Sequence, residues 1–163
     1  MTLKDRLKHQ LIAARQMSER MLADFKTPQQ WTTQVQPGVN HALWFVGHMA
    51  SSDNFFISIL DPAQAKELDE LGRLFGVGSQ PVDDPAAYPA AEEVLMQMRE
   101  RRETLLKLVD SLSDDEMAKN TPSGTPEFLS DYAAVLESAV WHEGVHTGQL
   151  SIARRAIGCA PLR

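Results

Sequence analysis

From Phe128 to Gly158 the chain keeps returning to one helical face, and two histidines stand on it. The face runs Val135, Ala139, His142, His146, Gln149, Ala153 and Ile157. Its steps of three and four have the period of an α-helix rather than the alternation of a strand. A second run, between Pro37-Gly38 and Asp61-Pro62, does the same with His41, Phe45, His48, Ser52, Phe55 and Ile59. Ring nitrogens on inward faces need partners, so the fold must bring other polar groups, or each other, to these histidines.

Two further segments complete the helical content. Leu3–Phe25 places Leu7, Leu11, Ala14, Met21 and Phe25 on one stripe, with Pro28 as the stop. A helix from about Pro89 to Leu112 uses Val94, Met98, Leu105, Leu108 and Leu112. Asn40 is the expected N-cap of the second helix, and Gly158 with Pro161 closes the fourth. The connection Asp61–Tyr88 is long enough for a short helix over Ala63–Phe75 before a turn-rich stretch from Gly76 to Pro85. Ser113-Asp114-Asp115-Glu116 has the form of a capping box. No stretch reads as a sheet. The expected fold is all-α: a single domain over 1–163, built as a four-helix bundle with a long crossover connection between helices 2 and 3.

Composition narrows the function classes. With 43% hydrophobic and 23% charged residues among 163, the chain falls in the soluble globular class. A formal net charge of −6 argues against nucleic acid as a partner, since phosphate binding needs clustered Lys and Arg. Arg99, Arg101 and Arg102 do cluster, but Glu100 and Glu103 are interleaved, which reads as a solvated helix face. Cys159 is alone, so no intrachain disulfide forms. The N-terminus is charged with no apolar run behind it, and no apolar stretch approaches a membrane span. The expectation is a cytoplasmic protein with neither membrane nor nucleic acid as partner.

His142 and His146, four apart, stand one turn above each other on a helix and can point at a common centre. His48 is the inward-facing candidate for a third ligand. Taken singly, each histidine could be a core residue satisfied by a backbone carbonyl or water. Together, a shared divalent transition metal satisfies all three, and bundle cores are a known place for such sites. The run His142-Glu143-Gly144-Val145-His146 also spells the H-E-x-x-H of zinc proteases. The extended form of that signature would place Gly at 149 and His at 152, where Gln149 and Ile152 stand, and there is no sheet to support the helix.

Asn40-His41-Ala42-Leu43-Trp44-Phe45-Val46-Gly47-His48, followed by His142-x-x-x-His146-Thr147-Gly148-Gln149-Leu150, resembles the DinB/YfiT-like family of metalloenzymes over nearly the whole chain. The resemblance implies a four-helix bundle with His48, His142 and His146 as metal ligands, nickel or zinc as the metal, and a homodimer. Some members of that family are transferases or isomerases that use a low-molecular-weight thiol.

Other residues around the site admit two readings each. His41, two turns before His48, either lines the pocket as a proton carrier or caps its helix. Trp44 either walls the pocket or fills the core. Gln149 either orients a ligand or a bound water, or packs. Gly47, Gly144 and Gly148 cost about 1 kcal/mol each inside helices, which a close approach of helices 2 and 4 would explain. Glu143, about 100° round the helix from His142, either flanks the metal as a base or points away. Three functions follow as expectations. The first is a metal-dependent transferase that activates a small thiol against an electrophilic small-molecule substrate. The second is a metal-dependent hydrolase with Glu143 or His41 moving protons. The third is a metal- or ligand-binding stress protein without turnover.

Overall fold

A computed structural model of the chain describes residues 1–162. Among them the regular structure is all helical, apart from one isolated antiparallel bridge between Asn120 and Asp131. The α-helices are α1 (Leu3–Leu22), α2 (Pro28–Thr32), α3 (Ala42–Leu60), α4 (Asp69–Phe75), α5 (Ala91–Ser111) and α6 (Tyr132–Ala156). Short 3-10 turns stand at Pro62–Gln64, Pro85–Ala87 and Asp115–Ala118. No helix of the described residues is long and apolar enough to cross a membrane.

The helix starts follow capping chemistry. Thr2 and Asp5 form a reciprocal capping box at α1, and Thr27 and Gln30 form another at α2. Pro28 therefore opens a helix at its first turn rather than ending the preceding one, because a proline there gives up only a donor that had no partner anyway. At α3 the cap is His41, whose Nδ1 accepts from the Trp44 amide at 3.0 Å, and not Asn40. The last helix begins at Tyr132 rather than Phe128. Asp131 caps it, while the carbonyls of Leu129 and Ser130 accept from the hydroxyl and the amide of Thr121. The short helix expected over Ala63–Phe75 divides into a 3-10 turn and α4.

Helix α3 packs on α5, α4 and α6, and α1 packs on α6. Two apolar clusters result. One is built on Leu43, Phe45, Met49, Phe75, Met98 and Leu150, the other on Leu11, Ile57, Leu105, Leu129, Leu136 and Ala139. Between them the helices meet through charge. Arg15 of α1, Asp53 of α3, Arg102 of α5 and Glu143 of α6 are all buried. Arg102 grips Asp53 with Nε and Nη2, both at 2.9 Å, and Arg15 bridges Asp53 at 3.0 Å to Glu143 at 2.8 Å. Arg101 is buried as well, against Glu100, Asn54 and the Gln64 carbonyl. The solvated arginine face expected from the sequence therefore holds only for Arg99, which pairs with Glu19 at the surface.

Candidate metal centre

Helices α3 and α6 bring His48, His142 and His146 together, each offering a ring nitrogen within 4.8 Å of the others. His48 Nε2 and His142 Nε2 lie 3.1 Å apart. Two nitrogens on one tetrahedral or octahedral ion, each about 2.0–2.1 Å from it, stand roughly 3 Å apart, so this spacing fits a shared ion.

The outer nitrogens are organised too. His48 Nδ1 donates to the Phe75 carbonyl at 2.8 Å, which leaves the Nε2 lone pair facing the other rings. His146 Nδ1 donates to Gln149 Oε1 at 2.9 Å, with the same consequence for its Nε2. Asn40 Nδ2 donates to the same Gln149 oxygen at 3.1 Å and holds the amide in place. Metal-binding histidines are usually oriented through the other nitrogen in this way. Burial drives the His48 ring down to about 4, against the Phe75 carbonyl and reinforced by the neighbouring histidines. Burial, with the nearby His146, does the same to His142, also to about 4. Burial lowers His146, with Gln149 pulling the other way. All three rings are thus neutral near pH 7, the form that binds a metal.

The local sequence explains why the rings converge. Gly47 has no side chain, and a Cβ there would fall within the ring of Phe75. The Phe75 ring therefore packs directly against α3 at Gly47, and its carbonyl reaches His48. Gly144 and Gly148 have nothing within 4 Å of an added Cβ, so the expected close approach of the two helices is not what accounts for them. Trp44 stacks on His48, with ring centroids 4.3 Å apart and planes 18° from parallel, and its Nε1 donates to Ser79 Oγ at 2.8 Å. It walls the site from the side of the connection to α5.

Two sequence expectations are corrected. Glu143 does not face the histidines. Its Oε1 accepts from Arg15 and from Ser18 Oγ, each at 2.8 Å, and Arg102 Nη2 lies 2.7 Å from Oε2. Position 143 continues the run of Ala139 toward α1 and α5, while 142 and 146 face α3, and 100° per residue separates the two arcs. His41 does not line the site either. With Nδ1 capping α3, its proton resides on Nε2, beside the Val82 backbone and edge-on to Tyr88 at 5.0 Å. The residues not anticipated are Phe75, which acts through a backbone carbonyl, and the buried partners Arg15, Asp53 and Arg102. The latter could have been found as charged residues on otherwise apolar helix faces.

Beside His48 and His142 opens a cavity of about 460 Å³. Its walls include Phe55, Phe56, Phe128 and Trp141, and its polar lining residues besides the histidines are Ser51, Ser52 and Ser138.

The sequence profile of the DinB superfamily matches residues 10–150, a span that contains all three histidines and Gln149. The chain belongs to the DinB superfamily. A crystal structure described as the conserved protein of locus from Enterococcus faecalis is similar to this DinB-superfamily chain. Its TM-score is 0.66 at 18% identity, covering 98% of this chain and 99% of that one. No curated protein matches. Family and fold are thereby shown, along with a three-histidine cluster able to hold a metal.

Proposed function

We propose that this DinB-superfamily protein is a four-helix-bundle metalloenzyme that joins a small thiol to an electrophilic small molecule. The observation that carries the reading is the condition of the carboxylates. Asp53 and Glu143 are both bound by buried arginines, and the cavity beside the histidines is lined by no Asp or Glu among the described residues. Hydrolysis at such a centre calls on a side chain to accept a proton from water and pass it to the leaving group. Glu143 and His41, the two residues that sequence reasoning offered for that task, are engaged elsewhere.

His48, His142 and His146 would hold a divalent metal, nickel or zinc in our reading, which would supply the acidity needed to ionise a thiol near neutral pH. The protein's part is positional. Phe75 and Gln149 keep the protons of His48 and His146 on the outer nitrogens. Trp44 stacks on one side of the cluster, and the aromatic-walled cavity opens beside it to receive the second reactant. Holding two reactants in register is itself a large part of such catalysis.

The test is thiol consumption by metal-loaded protein given glutathione and 1-chloro-2,4-dinitrobenzene, with ester hydrolysis followed in parallel. The reading predicts conjugation that needs the metal and vanishes in His146→Ala. Ester turnover without thiol turnover would replace it with the hydrolase.

A further inference from the structure

We infer that the cavity beside His48 and His142 is a binding site for an uncharged aromatic molecule, with Ser51 as its hydrogen-bonding contact. As the identity of the electrophile, this rests on the transferase reading above. As a binding site, it rests on the cavity alone.

Its volume, about 460 Å³, lies within the roughly 300–1,000 Å³ of small-molecule sites. None of its lining residues among those described is Asp, Glu, Lys or Arg. Away from the histidine end, where a metal would supply the one counter-charge, an ionised group would lose water with nothing to replace it, so the aromatic walls and the Ser51 end favour an uncharged ligand. Phe55 and Phe56 stand 5.7 Å apart, and Phe56 meets His142 edge-on at 6.3 Å, which continues an aromatic surface up to the histidines. At the mouth, Phe128 is 72% exposed and Trp141 69%. Rings of that size left open on a cavity rim offer faces on which a planar ligand stacks.

Ser51 supplies the polar contact. It lines the cavity, and its Oγ is buried with no hydrogen-bond partner among the described residues. Buried hydroxyls are rarely left unpaired, which points to a ligand group or water in that place. Ser51 lies one turn beyond His48 on α3, about 4.5 Å along the axis. A ligand anchored at Ser51 with its ring on the aromatic walls therefore has its other end beside the histidines.

Two fluorescent probes that share one skeleton test this on metal-loaded protein. They are N-phenyl-1-naphthylamine, which is neutral, and 8-anilino-1-naphthalenesulfonate, which adds one negative charge. Titrations in about 0.3 M salt screen the net charge of −6. The neutral probe is expected to saturate at one per chain and to bind at least tenfold more tightly than the sulfonate. Ser51→Ala should weaken it about fivefold, the scale of one hydrogen bond. Ser138→Trp, or Ser52→Phe if the first does not fold, should abolish binding while circular dichroism and metal content stay unchanged. Equal or tighter binding of the sulfonate overturns the inference, as does binding that survives the filling substitutions. Binding that fades as chain concentration rises also overturns it, and assigns the exposed rings to a second copy. Metal-free protein is titrated alongside. Probe binding there, with no metal-dependent conjugation, would sink the transferase reading and leave the binding site standing.

Discussion

Phe75 lies across Gly47 in the space any other residue would need for its Cβ, and the carbonyl of the same phenylalanine receives the Nδ1 proton of His48. One missing side chain on α3 thus sets the orientation of a candidate metal-ligand ring one residue later.

Gly47→Ala must displace a fully buried ring. A loss of about 1–3 kcal/mol is expected from the overpacking, together with a 10–100-fold fall in metal affinity as the carbonyl leaves His48. Gly144→Ala meets nothing and should gain about 0.5–1 kcal/mol from helix propensity alone. Urea titrations of the two variants check the opposite signs, and equal effects would contradict the account.

Gln149 is exposed and contributes little packing, yet its Oε1 accepts the hydrogen bond from His146 Nδ1 and is itself held by Asn40. Gln149→Leu should leave unfolding unchanged within about 0.5 kcal/mol while weakening metal binding 10–100-fold. Competition with a chromophoric chelator measures the second quantity.

Glu143→Gln should behave as a stability variant. Removing one charge from the cluster leaves Arg15 and Arg102 facing Asp53 alone, at a cost of about 3–5 kcal/mol. Metal content per folded chain should be unchanged. An unaltered denaturation midpoint combined with lost turnover would return Glu143 to the role of a base.

The sequence made the histidine cluster legible because three-and-four spacing fixes which residues face inward. It could not say toward which neighbour. On α6, His142 faces α3 while Glu143, one step on, faces α1 and α5, and both arcs are inward. The ionic cluster was legible in principle: Arg15 follows Leu7 and Leu11 on one stripe, and Arg102 stands between Met98 and Leu105 on another. The interleaved glutamates around Arg102 masked it. The Phe75 contact had no such signal, since a backbone carbonyl from a long connection leaves no side-chain pattern, and Gly47 alone hinted at it.

His41 predicts a pH dependence. Burial holds its ring near 4, against an ordinary value of 6.5. A base whose folded-state value is depressed takes up its proton first in the unfolded chain. Its contribution therefore erodes stability as pH falls from about 6.5 to 4 and is nil above that window. His41→Asn keeps a cap at α3 and should remove about 3 kcal/mol of that decline. Thermal unfolding of both proteins from pH 4 to 8 gives the comparison, and parallel curves would contradict it.

The central claim is that His48, His142 and His146 hold one metal ion. Elemental mass spectrometry, on tag-free protein purified without chelators, tests it against His142→Ala. The account predicts about one equivalent of nickel, zinc or another divalent transition metal in the wild type, lost in the variant. A wild-type protein that stays metal-free after reloading with each ion in turn would contradict it, and would leave the three histidines as residues of the core.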